Sequence, residues 1–175
     1  MNLPERKQIR LQNYDYSSPG AYFVTLCTEK RRKILSDIIV GQGLAPAETK
    51  LSRYGEIAKE QLLLLQKRYD FVKIDKFVIM PDHIHIIVFF KDYAAGASPR
   101  PTLFDVMCVY KSLTTRLCKQ VGFNEMKIFQ NSYFDHVIRN RQDYEETWKY
   151  IEENPLRYIQ IRRNKLCKEL PNFRK

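Results

Sequence analysis

Apolar and polar positions alternate along this chain with two different periods, separated by clusters of turn-forming residues. Ala21–Cys27 (Ala-Tyr-Phe-Val-Thr-Leu-Cys) reads as a strand entered from the turn Ser17-Ser18-Pro19-Gly20. Phe71–Met80 sets Lys73 and Asp75 against apolar neighbours, Pro81-Asp82 supplies a tight turn, and His83–Val88 returns antiparallel to it. Helical spacing governs two other stretches. Ser52–Arg68 carries Ile57, Leu62, Leu64 and Leu65, although the run Leu62–Leu65 is too continuous for a clean stripe. From Thr102 to about Gln120, Leu103, Met107, Tyr110, Leu113 and Leu117 form the expected core stripe, with Thr102 as N-cap and Asp105 completing an acidic capping box. Lys127–Gln130 and Tyr133–Ile138 predict two short extended pieces. Asn140 predicts the N-cap of a helix over Arg141–Asn154, which Pro155 is expected to end. Gly41–Ala47 and Ala94–Pro101 read as loops. The order β, α, β, β, α, β, α predicts an α+β fold with a largely antiparallel sheet.

The returning strand holds two of the chain's three histidines. Strand alternation puts His83 and His85 on one side, with Ile84 and Ile86 on the other. Two imidazoles on one face of a rigid element can begin a metal site, and they can equally be polar residues on a half-exposed face.

Charge narrows the choice of partner. Thirty Lys and Arg against twenty Asp and Glu leave a formal charge of +10, which suits a polyanion and above all nucleic acid. The excess is concentrated. Leu156–Lys175, expected to be a basic C-terminal tail to a single domain over 1–175, holds seven basic residues and one acid. A second cluster is Lys30-Arg31-Arg32-Lys33, and Lys111 and Arg116 lie on the helix after Thr102. Four dispersed cysteines with no CxxC pair, no apolar leader and no apolar run of membrane-spanning length predict a reduced, cytoplasmic protein without membrane association.

On the helix after Asn140, Tyr144, Trp148 and Ile151 predict the core stripe. Tyr150 lies roughly 160° from Trp148 around the helix axis, off that stripe, and Asn154 follows one turn later on its side. A surface tyrosine is ordinarily just that. A phenol is a weak nucleophile unless its phenolate or its target is stabilised. A divalent ion held by His83, His85 and a third polar group would polarise a phosphodiester. Asn154 can be that group if this helix packs across the histidine strand.

Taken together, Gly20–Thr25, Val78–His85, Tyr110-Lys111-Ser112, Tyr133–Asn140 and Tyr150–Pro155 resemble the single-tyrosine HUH endonucleases. Within these, the likeness is to the REP-associated tyrosine transposases and related insertion-sequence transposases. The resemblance implies a ferredoxin-like antiparallel sheet with packed helices and a transesterase for single-stranded, hairpin-bearing DNA dependent on Mg²⁺ or Mn²⁺. It implies His83, His85 and Asn154 as metal ligands and Tyr150 as the nucleophile that forms a 5′-phosphotyrosine. His136 belongs to the motif without a metal role; it is expected to be structural, to orient a neighbour, or to contact DNA. Lys30, Arg31, Arg32, Lys111 and Arg116 are DNA-contact candidates, and a monomer is favoured over a homodimer. Two other readings stay open: a retired transposase that only binds nucleic acid, and a metal phosphoesterase that uses water.

Overall fold

The computed structural model describes residues 11, 14–39, 48–92 and 100–169, with backbone only for 162–169. In chain order its elements are β1 (Gly20–Cys27), β2 (Ser36–Ile39), β3 (Glu48–Leu51), α1 (Arg53–Arg68), β4 (Val72–Ile79), β5 (His83–Phe90), α2 (Leu103–Gln120), β6 (Phe134–Ile138) and α3 (Arg141–Glu169). A short 3₁₀ turn, Glu29–Arg31, follows β1. Strands β4-β5-β1-β6 form one antiparallel sheet in that order, and β2 pairs with β3 in a separate two-stranded ribbon. Without the ribbon and α3, the elements form a βαββαβ ferredoxin-like arrangement: the antiparallel α+β fold matches the element order, and the ferredoxin-like form matches what the resemblance implied.

The sheet buries both faces. Tyr22, Val24 and Leu26 of β1 and Ile84, Ile86 and Val88 of β5 meet Ala58, Leu62 and Leu65 of α1 and Leu103, Val106, Met107 and Tyr110 of α2 in one core. The continuous leucine run is sorted by helix geometry: Leu62 and Leu65 are buried and Leu63 is exposed. Both helices start where side chains can satisfy their first amides. Ser52 accepts from the backbone N–H groups of Tyr54 and Gly55 and donates to the Ile34 carbonyl. Thr102 and Asp105 form the expected capping box.

Four expectations change. The buried stripe of α2 runs through Val106, Thr114 and Cys118 as well as Leu103, Met107 and Tyr110, leaving Leu113 and Leu117 half-buried, because α2 meets α1 as well as the sheet. Lys127–Gln130 forms no strand; Phe129 makes a lone bridge to Thr28. The β2–β3 ribbon was not anticipated. Most importantly, α3 does not end at Asn154 but passes through Pro155 to Glu169, so the described part of the basic segment after 156 is helical. The proline removes one amide donor, yet Ile151, Asn154 and Pro155 are all buried, so packing offsets the missing bond. The loops expected at 41–47 and 94–101 lie outside the described residues, Arg100 and Pro101 excepted.

One close approach fixes how α1 enters the fold. The Leu35 carbonyl accepts from the Ser52 backbone amide at 2.9 Å, and a Cβ on Gly55 would lie 2.0 Å from that same oxygen. Because backbone, not a flexible side chain, blocks the position, Gly55→Ala should destabilise the fold by about 1–3 kcal/mol. Urea denaturation should show a lower midpoint, and an unchanged midpoint would contradict the packing described.

Candidate active site

β5 is an inner strand, so its second face is a floor. His83 and His85 stand on it opposite Cys27 and Thr25 of β1, only 9% and 5% exposed, with ring centroids 4.6 Å apart. They are therefore not on a half-exposed surface. Each ring has one nitrogen engaged. Nδ1 of His85 lies 2.8 Å from the Thr25 hydroxyl, and Nδ1 of His83 lies 2.7 Å from Oδ1 of Asp82. Nε2 of His85 is buried with no hydrogen-bond partner. Burial, aided by the charges of His83 and Arg31, pushes His85 down to about 3, so its ring is neutral and keeps a lone pair. Burial alone would raise the Asp82 carboxyl, but the His83 hydrogen bond and the Arg31 charge outweigh it and hold it below the usual range.

Helix α3 roofs this floor. Its Tyr144 hydroxyl donates to Asp75 of β4 at 2.6 Å, and the ring lies against Phe89 of β5. Lys76 of β4 pairs with Glu152 and sits 3.9 Å from the centroid of Trp148. Ile151 is wholly buried. Trp148 was expected in the core; it is 38% exposed, because it covers the stem and charge of Lys76 beside the sheet's outer strand β4. Tyr150, 36% exposed, hangs over the histidines, its ring 5.2 Å from His85 and edge-on to Phe23 at 6.0 Å. The Arg157 guanidinium lies 5.5 Å from the Tyr150 ring. Asn154, 6% exposed, completes the same cavity of about 610 Å³, which Arg31 and Asp82 also line.

This donor set fits a divalent ion. A buried imidazole nitrogen without a partner is an unmet demand. Two imidazoles and an amide oxygen would hold an ion on one side and leave positions for phosphate oxygens on the other. Asn154, whose side-chain amide lines the same cavity, is the residue placed to complete such a set.

The basic candidates separate. Arg31 reaches the cavity, with Nε 3.5 Å from Asp82 and Nη1 donating to Cys27 Sγ at 2.9 Å. Lys30 is exposed on the same turn. Arg32 is turned away, paired with Glu125 and stacked over Phe123. Lys111 and Arg116 lie on α2, against the opposite face of the sheet, beside a second cavity of about 540 Å³; Lys111 donates to the carbonyls of Gln130 and Asn131. His136, on the sheet-edge strand β6, bonds both carboxylate oxygens of Asp143 at 2.9 Å and so orients the first turn of α3. Thr25, Asp82 and Arg157 were not anticipated. Asp82 had a signal, since it directly precedes His83, whereas Thr25 is identified only by strand register.

The sequence matches no protein-family profile. An uncharacterised protein of Haemophilus influenzae is 26% identical over 173 residues, covering 90% of this chain and 92% of its own. The REP-associated tyrosine transposase, solved bound to a REP hairpin, superposes with a TM-score of 0.60 at 19% identity, over 85% of this chain and 73% of that one. A protein from Deinococcus radiodurans provisionally described as a transposase aligns with a TM-score of 0.48 at 15% identity, over 82% of this chain and 95% of its own, a likeness too slight to argue from. The α+β fold is thus the one seen in a REP-associated tyrosine transposase. No helix among the described residues is long and apolar enough to cross a membrane.

His85 makes the metal-free protein acid-sensitive. Unfolded, it binds a proton near 6.5; folded, only near 3. Between those values the unfolded chain holds more protons, so stability falls as pH drops from about 6.5 towards 3 and this contribution is fully lost below that. In EDTA, moving from pH 7 to pH 4.5 should cost the native protein about 2 kcal/mol more than His85→Gln. Equal losses in urea denaturation would contradict a buried neutral imidazole.

Proposed function

We propose that the protein is a metal-dependent endonuclease and strand transferase for single-stranded DNA, a transposase of the REP-associated tyrosine type. The observation that carries this reading is the convergence of Tyr150, His83, His85 and Asn154 on one cavity in a fold shared with such a transposase. A divalent ion, Mg²⁺ or Mn²⁺, held by His83, His85 and Asn154 would polarise a phosphate oxygen as a Lewis acid.

The chain's own groups do the rest. The phenolic oxygen of Tyr150 attacks phosphorus as its proton passes to solvent, which returns one to the leaving oxygen. The bond from phosphorus to the 3′ oxygen breaks, and that oxygen takes a proton to become a free 3′-OH. The DNA 5′ phosphate is then esterified to Tyr150, and attack by a 3′-OH reverses the step without nucleotide hydrolysis. Phe23 and His85 hold the Tyr150 ring, and the Arg157 charge lies near the phenol as it becomes negative. Arg31 adds positive charge on the cavity's other side. Hairpin-bearing DNA is the preferred substrate, because the transposase of the same fold was solved on a REP hairpin and this chain is strongly basic. The protein acts as a cytoplasmic monomer in this reading.

Hairpin-bearing single-stranded DNA incubated with the protein and Mg²⁺ or Mn²⁺ should give a covalent protein–DNA band on denaturing gels, lost with EDTA and lost in Tyr150→Phe. His85→Ala should reduce it at least about 100-fold. Salt-sensitive binding without an adduct would favour a retired DNA-binding protein. Turnover without an adduct would favour a water-using phosphoesterase, and adduct formation by Tyr150→Phe would overturn the nucleophile.

A further inference from the structure

Asp82 stands between two groups of the candidate site, and the geometry around it is unusually constrained. Its turn is pinned from the side: the Thr28 amide and hydroxyl both donate to the Asp82 carbonyl at 3.0 Å, and the Leu35 amide donates to Pro81. Its side chain then divides its oxygens, Oδ1 to His83 Nδ1 at 2.7 Å and Oδ2 towards Arg31 Nε at 3.5 Å. In the turn that carries this guanidinium, Lys30 and Arg31 both adopt left-handed backbone, with φ of 55° and 54°. Two consecutive non-glycine residues in that region are strained, and such strain persists only where surrounding contacts over-determine it. Here those contacts are the 2.7 Å bond from the Glu29 amide to the Ile128 carbonyl and the Arg31 bond to Cys27.

Charge explains the arrangement. A guanidinium and a metal ion repel one another, and Asp82 is the sole carboxylate among the described residues lining the cavity. We propose that Asp82 is a positioning residue for two partners at once: it keeps the His83 proton on Nδ1 so that Nε2 faces the cavity, and it aims Arg31 at the phosphate that Tyr150 attacks. The inference rests on the transesterase reading for the role of Arg31, but not for the state of the His83 ring. A carboxylate behind a ligating histidine sets tautomer and orientation and raises basicity. A guanidinium, planar and forked, can hold two phosphate oxygens where lysine offers a point charge.

The test has a metal-free arm and a reaction arm. In the metal-free protein at alkaline pH, imidazole ¹⁵N NMR should find the His83 proton on Nδ1 in the native protein and in Asp82→Asn, whose amide oxygen still accepts. The proton should move towards Nε2 in Asp82→Ala. Mn²⁺ affinity should fall about 10- to 100-fold in Asp82→Ala and largely recover in Asp82→Asn. Asp82→Ser replaces the alanine variant if that one does not fold. Arg31→Ala should not weaken Mn²⁺ binding but should slow adduct formation at least about tenfold, with Arg31→Lys recovering only part. An unmoved His83 proton with unchanged Mn²⁺ affinity in Asp82→Ala would overturn the positioning role. Adduct formation at the native rate in Arg31→Ala would overturn the phosphate role. If the native protein forms no adduct, the transesterase reading falls together with the role of Arg31, while the NMR and Mn²⁺ results still decide Asp82.

Discussion

A single inner strand has to satisfy two opposed surroundings, and the rest of the fold depends on how it does so. On one side β5 sets Ile84, Ile86 and Val88 into the core shared by α1 and α2; on the other it presents His83 and His85. Because side chains alternate with a period of two, a slip of one residue would bury imidazoles among leucines and put isoleucines under α3. Antiparallel pairing to β1 removes that freedom and places Thr25 opposite His85 and Cys27 opposite His83. Helix α3 then roofs the histidine face through Tyr144 on Asp75, Trp148 on Lys76 and the buried Ile151. Those contacts leave the Tyr150 phenol above the two rings.

Roofing a polar floor changes its electrostatics. Excluding water holds His85 neutral and leaves its Nε2 without a partner. It also makes the few charges that remain count for more. Asp82 is flanked by His83 and Arg31, and Arg157 reaches over Tyr150 from the last part of the helix. The cavity thus brings together two imidazoles, one engaged carboxylate and two guanidinium groups, the set on which the proposed function rests. Passage of α3 through Pro155 matters here, since ending the helix at Asn154 would remove Arg157 from the site.

Much of this was legible in the residues. Alternation gave the histidine face, the Pro-Asp turn gave the hairpin, and the four-residue spacing from Tyr150 to Asn154 placed both on one side of a helix. Capping chemistry placed the start of α2 at Thr102 and of α3 at Asn140. What stayed hidden depends on contacts between distant segments. Thr25 meets His85 only through register; Arg32 and Lys111, read as DNA-contact candidates, have protein partners in Glu125 and in the carbonyls of Gln130 and Asn131 that no local pattern announces. The α2 stripe turned towards Thr114 and Cys118 because its neighbour is another helix as well as the sheet. Pro155 misled because local propensity favoured a stop, whereas burial of Ile151, Asn154 and Pro155 favoured continuation.

In the proposed function, the roof and floor together hold an ion beneath the Tyr150 phenol. Anomalous diffraction from crystals of the protein soaked in Mn²⁺ tests it most directly. A single strong peak bonded to Nε2 of His83, Nε2 of His85 and the Asn154 amide oxygen, under Tyr150, is the predicted result. A fully occupied manganese elsewhere, with none between the two imidazoles, would contradict it.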